Sequence, residues 1–257
     1  MSDLSQLNLS PVPARPELWE AVLKALRMAI LSGEIEPGTR LVEAAIARKF
    51  DVSRLPVRQA IGRLEQEGLV IRSPGRGAHV VEFSASDVRE IFDLRRMLEM
   101  HAVELATEHY SPEGEAQMIR CIEDLRDAVE AGDGLRAVRP DVAFHRTVLQ
   151  VAGSQRLLGM WEVLVAPLNA MLTIGSYGLG PERLRLGPAA HEELMTRMRA
   201  GDRDGAVREI ARQLVVPEVG LLDKLERAAV YHGARAGGNG SSSSNDAGDT
   251  IGPNGPR

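Results

Sequence analysis

Asp141 and His145 stand four residues apart. On a helix both side chains leave one face and can grip a single ion. His191 opens the run His191-Glu192-Glu193-Leu194, and Gln213 follows 22 residues later. A carboxylate and two imidazoles are donors that suit a divalent cation such as Zn²⁺ or Ni²⁺. A glutamine carbonyl is neutral and weaker than imidazole, so a site completed by Gln213 holds its ion loosely. On the residues alone, three readings stay open. Asp141, His145 and His191 hold a metal; or Gln213 hydrogen-bonds a small molecule in a metal-free pocket; or Asp141 only steadies a helix turn beside two packing histidines.

A second chemistry lies in Ser53-Arg54-Leu55-Pro56-Val57-Arg58. The Ser53 hydroxyl is expected to cap a helix, and Pro56 is tolerated in a first turn. Arg54 and Arg58 then project from one face near the helix start. Arginine pairs two guanine acceptors or grips phosphate, and in a helix-turn-helix this end of the second helix enters the major groove. Arg76-Gly77, within Ser73-Pro74-Gly75-Arg76-Gly77, adds a basic hairpin tip. The candidate DNA-binding set is therefore Ser53, Arg54, Leu55, Pro56, Arg58, Arg76 and Gly77.

Positioning these groups requires two kinds of architecture. Residues 1–15 read as a loose polar arm. A helix is expected from Glu17 to Leu31, with Leu18, Val22, Leu26 and Ile30 one turn apart and Gly33 ending it. Helices over Val42–Phe50 and Ser53–Glu67 follow. Leu69-Val70-Ile71 and His79-Val80-Val81 then form a hairpin. A boundary falls at Glu82–Ser86, where Ser84 and Asp87 can cap a long helix and Glu90 sits in capping-box position after Asp87. Val88, Ile91, Leu94, Leu98, Ala102 and Leu105 make its apolar stripe. Further helices are expected from Ser111 toward Gly132, then Ala137–Ala152, Gln155–Ile174, Pro188–Ala200 and Asp202–Tyr231. Residues 233–257, rich in Gly, Ser and Asn, read as a disordered tail. The fold class is mainly α, a winged helix-turn-helix over residues 16–83 and an antiparallel helical bundle over residues 84–232.

Leu18 to Val81 resembles the winged-helix head of the GntR family of bacterial regulators. In that family the first helix ends Ile-Leu-x-Gly-x-(Ile/Leu)-x-Pro-Gly, here Ile30-Leu31-Ser32-Gly33-Glu34-Ile35-Glu36-Pro37-Gly38. The recognition helix opens Ser-Arg-x-Pro-Val-Arg, matched from Ser53 to Arg58. Leu55 stands where Thr is common, which shifts the preferred operator. Ser84 to about Tyr231 is similar to the FCD domain, the effector-binding half of the FadR branch. Many members hold a divalent metal through Asp-x-x-x-His, a His opening a later helix and a His in the last; others are metal-free. Asp141, Phe144-His145 and His191 match, while Gln213 replaces the last His. Arg95-x-x-Leu98-Glu99 matches the first-helix motif Arg-x-x-Leu-Glu. The resemblance implies an operator-binding repressor whose effector is a small carboxylate met by Arg95, with Gln213 as its other candidate contact. A homodimer is expected from the head's small net charge and the bundle's apolar stripes. The residues alone leave Arg95 either pointing inward, in need of an anion, or in a surface salt bridge with Glu99 or Glu90.

Composition bounds these expectations. The net charge is −5, but it divides unevenly. Residues 15–83 hold 11 Lys/Arg against 9 Asp/Glu, and residues 84–257 hold 20 against 26. A local basic face, not the chain total, governs DNA affinity. A head so weakly basic calls for two acting together. Cys121 is the only cysteine, which fits a reducing compartment and a cytoplasmic protein. No apolar run reads as long enough to cross a bilayer, and Met1-Ser2-Asp3 lacks a signal peptide's start. The rival class is a metal-dependent enzyme on the bundle, with the head as accessory. No general base or nucleophile signature flanks Asp141, His145 and His191, which weighs against it. A head that binds protein is a third reading.

Overall fold

The computed structural model describes residues 18–238, so the expected arm and the tail beyond 238 lie outside the described residues. Three helices open the chain: α1 (Leu18–Leu31), α2 (Glu43–Phe50) and α3 (Arg54–Gln66). The antiparallel hairpin β1 (Val70–Ser73) and β2 (Gly77–Val80) follows, with Val70 opposite Val80 and Ser73 opposite Gly77. Gly75 and Gly77 take positive φ at its tip, a region closed to most side chains. Val22, Leu26, Ile30, Val57, Ile61, Leu64, Leu69 and Val80 fill one apolar core. Asp51, at φ 52°, makes the tight left-handed turn from α2 into α3. This is a winged helix-turn-helix.

Seven helices complete the described chain: α4 (Ala85–Glu108), α5 (Pro112–Glu130), α6 (Gly134–Val151), α7 (Gln155–Ser176), α8 (Pro181–Leu184), α9 (Leu186–Arg199) and α10 (Arg203–Gly238). The four-residue α8 carries no sequence signal, and α10 continues past the boundary expected at residue 232. Four of these helices start in one way. Ser84, Ser111, Asp133 and Ser154 each accept a hydrogen bond from the amide three residues on, filling one of the vacant donors of a first turn. Ser53 does not. Its partner three residues on is Pro56, which has no N–H, so the expected Ser53 cap is corrected and its hydroxyl is left free of that duty. The capping box of α4 is likewise Ser84 with Asp87, not Asp87 with Glu90.

The apolar stripe expected on α4 is rotated. The buried line is Val88, Phe92, Arg95, Glu99, Ala102, Val103 and Ala106, while Ile91, Leu94, Leu98 and Leu105 flank it, half-buried. Two charges at the centre of the line hide it from a hydrophobic pattern. One further correction concerns α7. By length, and by a mean hydropathy of 1.6, it passes as apolar enough to cross a membrane. Here it is a core helix that buries Trp161, Leu164, Leu168 and Met171 in the bundle.

Head and bundle meet at Gly68, just past α3. A β-carbon there would fall 2.6 Å from the Ala166 carbonyl oxygen and 3.1 Å from Ala170 Cβ on α7.

Candidate functional site

α6 presents Asp141 and His145 on one face, and α9 brings His191 against them. Their ligand-capable atoms lie within 4.8 Å of one another. They line a cavity of about 360 Å³ bounded by α4, α5, α6, α7, α8, α9 and α10. His191 Nε2 is 3.0 Å from Asp141 Oδ1. Phe144 stacks on the His191 ring at 4.1 Å, with planes 7° apart. His145 meets that ring edge-on at 5.0 Å. Both imidazoles are therefore held in fixed planes by buried neighbours.

Gln213 fixes the orientation of the His191 ring. Its amide nitrogen donates to the Ala190 carbonyl at 2.7 Å and to Glu209 Oε1 at 2.9 Å. With both donors spent, its Oε1 faces His191 Nδ1 at 3.1 Å. An amide oxygen only accepts, so Nδ1 carries the proton. Nε2 is then left to face Asp141, and a His ligand is oriented in this way by the hydrogen bond of its other nitrogen. Gln213 lines the cavity, as expected of an effector contact. Its amide, however, already holds His191, a role the sequence pattern did not convey.

Arg95 combines the two alternatives expected of it, inward-pointing and paired with Glu99, but the pair is buried and not at the surface. It points inward at 1% exposure, yet it is already paired, with its Nε 2.7 Å from Oε1 of the equally buried Glu99. Trp161 Nε1 donates to the same oxygen at 2.9 Å. The other Glu99 oxygen lies 2.8 Å from His145 Nδ1, off the line of a hydrogen bond. Burial pushes the Glu99 carboxyl up, but the charges of Arg95 and then His145 outweigh it and hold it at about 2. Burial likewise pushes Asp141 up; contact with His191 and the charges of His145 and Arg95 hold it well below the usual carboxylate range. Burial is the largest influence on His145 and lowers it, against the raising charges of Glu99 and Asp141. An ionised carboxylate and a neutral imidazole are the forms that ligate a divalent cation, so these side chains fit one held by three protein ligands.

On the head, Arg54 and Arg58 stand exposed on one face of α3. Arg58, 65% exposed, forks onto Glu43 of α2 at 3.2 Å. Leu55 is 62% exposed between them, but Pro56 is buried, so it shapes the helix start and offers no contact surface. Arg76 is exposed at the hairpin tip. Sequence reasoning left Arg40 without a role. It bridges to His79, and its guanidinium lies against Gly77. The nearest signal was its place in Gly38-Thr39-Arg40-Leu41. Arg183 and Arg212 also border the cavity, and neither lies in a motif.

Residues 18–80 match the family described as bacterial regulatory proteins, gntR family, and residues 90–215 match the FCD domain. The gluconate operon transcriptional repressor of Bacillus licheniformis is 30% identical over 166 residues, covering 62% of this chain and 68% of that protein. The chain belongs to the GntR family. The HTH-type transcriptional regulator McbR of Escherichia coli (strain K12) is 25% identical over 197 residues, 77% of this chain and 89% of that one. The match to the regulator YdhC of Bacillus subtilis (strain 168) spans 62% of that protein's length. The solved structure of E. coli McbR/YncC superposes at a TM-score of 0.57 with 25% identity, over 82% of this chain and 99% of that one. The structure of Lar, which controls the Listeria monocytogenes agr system, reaches 0.60 at 17% identity, a likeness of fold. Winged head and helical FCD bundle are thus both in place. The GntR relatives matched here are transcriptional regulators.

Proposed function

We propose that this GntR protein is a ligand-responsive repressor whose operator affinity is set by a small organic acid in the FCD cavity. The observation that carries this is the convergence of Asp141, His145 and His191 on one wall of a cavity within the bundle. A divalent ion held there supplies positive charge to which a carboxylate can coordinate. Asp141 and His145 come from α6 and His191 from α9, so a ligand seated on them engages two helices at once. It acts only through differing affinity for two arrangements of those helices. Residues 84–232 serve sensing and dimerisation, and two heads on a pseudo-palindrome supply the affinity that one weakly basic head lacks. The working compartment is the cytoplasm. The test is a band-shift assay on the protein's own upstream DNA across a panel of organic acids. Saturable release by an acid supports the proposal; operator binding indifferent to every acid that binds overturns it.

In the head, Ser53, Arg54 and Arg58 with Arg76 meet the operator, and Arg58 must leave Glu43 to do so. Arg58→Ala is expected to weaken operator binding by about 1–3 kcal/mol with relaxed base preference. Undiminished affinity in both Arg54→Ala and Arg58→Ala would remove recognition from this face.

Gln213→His places a third imidazole beside His191. The expected result is tighter Zn²⁺ or Ni²⁺ retention through dialysis than in the parent, read by elemental analysis. Equal retention in the two would mean that position 213 faces no ion.

A further inference from the structure

The cavity's polar side chains cluster at one end, with Ser176 and Arg183 set apart from them. Arg95, Asp141, His145, His191 and Gln213 gather there, and beyond them the walls are Leu125, Val138, Leu172, Leu179, Leu184 and Leu186. Leu184 approaches the start of α6 at Gly134, seven residues before Asp141. At a rise of about 1.5 Å per residue, that is roughly 10 Å of apolar wall running away from the polar end. Leu125, Ala137 and Leu184 close it as an apolar cluster of their own, with Leu179 against them. Leu186, 60% exposed, and the exposed Arg183 mark the mouth. Ser176 is the one hydroxyl-bearing side chain among the lining residues.

Resting on the sensing site proposed above, we infer that the effector is a carboxylate with a hydrocarbon body, not a polyhydroxylated sugar acid. The carboxylate sits at the Asp141–His145–His191 end, and the hydrocarbon lies along Leu172, Leu179 and Leu184. Each hydroxyl of a sugar acid placed on this wall would lose its water and find no partner, weakening binding by roughly tenfold or more apiece. The leucines instead gain from covering an apolar chain.

The test is calorimetric titration of the full chain with octanoate and with gluconate, each followed by a band shift on the operator. Octanoate is expected to bind saturably and release DNA, with gluconate weaker by at least roughly a hundredfold, the loss if only two of its five hydroxyls face the leucines unmet. Leu184→Asn should weaken octanoate roughly tenfold. Leu186→Asn, at an exposed position that folding does not depend on, should weaken it in the same direction. Gluconate binding as tightly as octanoate and releasing DNA would overturn the hydrocarbon body and leave the acid-sensing function standing. Saturable binding of neither acid would overturn both. Octanoate binding unmoved by Leu184→Asn, Leu186→Asn and His191→Ala would place it elsewhere, and the inference would fall.

Discussion

Glu99→Ala is expected to destabilise the protein by about 3–5 kcal/mol, the cost of breaking a buried ion pair from one side. Glu99 and Arg95 are each 1% exposed, so the orphaned guanidinium would stay buried. The same carboxylate oxygen accepts from Trp161, so the indole N–H is stranded as well. A double variant sharpens the result. Arg95→Met with Glu99→Ala removes both charges, keeps much of the volume, and should recover more than half of the single-variant loss. Chemical unfolding monitored by the fluorescence of Trp161 and Trp19 reads both. A loss below about 1 kcal/mol for Glu99→Ala would mean that the guanidinium finds solvent or another anion, and that the pair is not what orders this wall.

That buried pair also marks where a sequence ceases to be legible. Both residues stand in the motif Arg95-x-x-Leu98-Glu99, but whether the motif faced in or out was undecidable. A charge on a helix face is ordinarily solvated, and only packing by Trp161 and His145 makes this one interior. The apolar pattern of α4 led to the flanks of its buried line for the same reason. Helix starts were more legible, because Ser84, Ser111, Asp133 and Ser154 cap by a local rule that needs no tertiary partner. Ser53 failed that rule through Pro56, a conflict visible in the sequence once the third position is checked.

Asp141, His145 and His191 were readable as a group because i, i+4 spacing and residue chemistry specify a ligand pair before any fold is known. The fixing of His191 by Gln213 was not, since it depends on the amide reaching the Ala190 carbonyl and Glu209 across two helices. Nor was the apolar far wall. It is assembled from α5, α7, α8 and the connection between α7 and α8, and α8 carries no periodic pattern of its own.

Gly68→Ala is expected to cost about 2–4 kcal/mol, and its two causes can be separated. Gly68 holds φ at +74°, where a β-carbon costs about 1–2 kcal/mol by itself. The same carbon would fall 2.6 Å from the Ala166 carbonyl oxygen, and overpacking of this kind adds about 1–3 kcal/mol. Gly33 supplies the control. It has φ +79° with nothing within 4 Å of the β-carbon position, so Gly33→Ala should show the backbone cost alone. The excess at Gly68 measures the contact between head and bundle. That contact lies on α7, which also lends Met171 and Leu172 to the cavity, while Met171 borders the cleft under the head as well. One helix therefore touches both the ligand's wall and the DNA-binding half. Gly68→Ala should accordingly blunt the release of operator by an acid while acid binding persists. Adding Ala170→Gly, which clears the neighbour 3.1 Å away, should restore part of both stability and response. Equal costs at Gly33 and Gly68, with acid-driven release intact, would show that the signal leaves the bundle by another route.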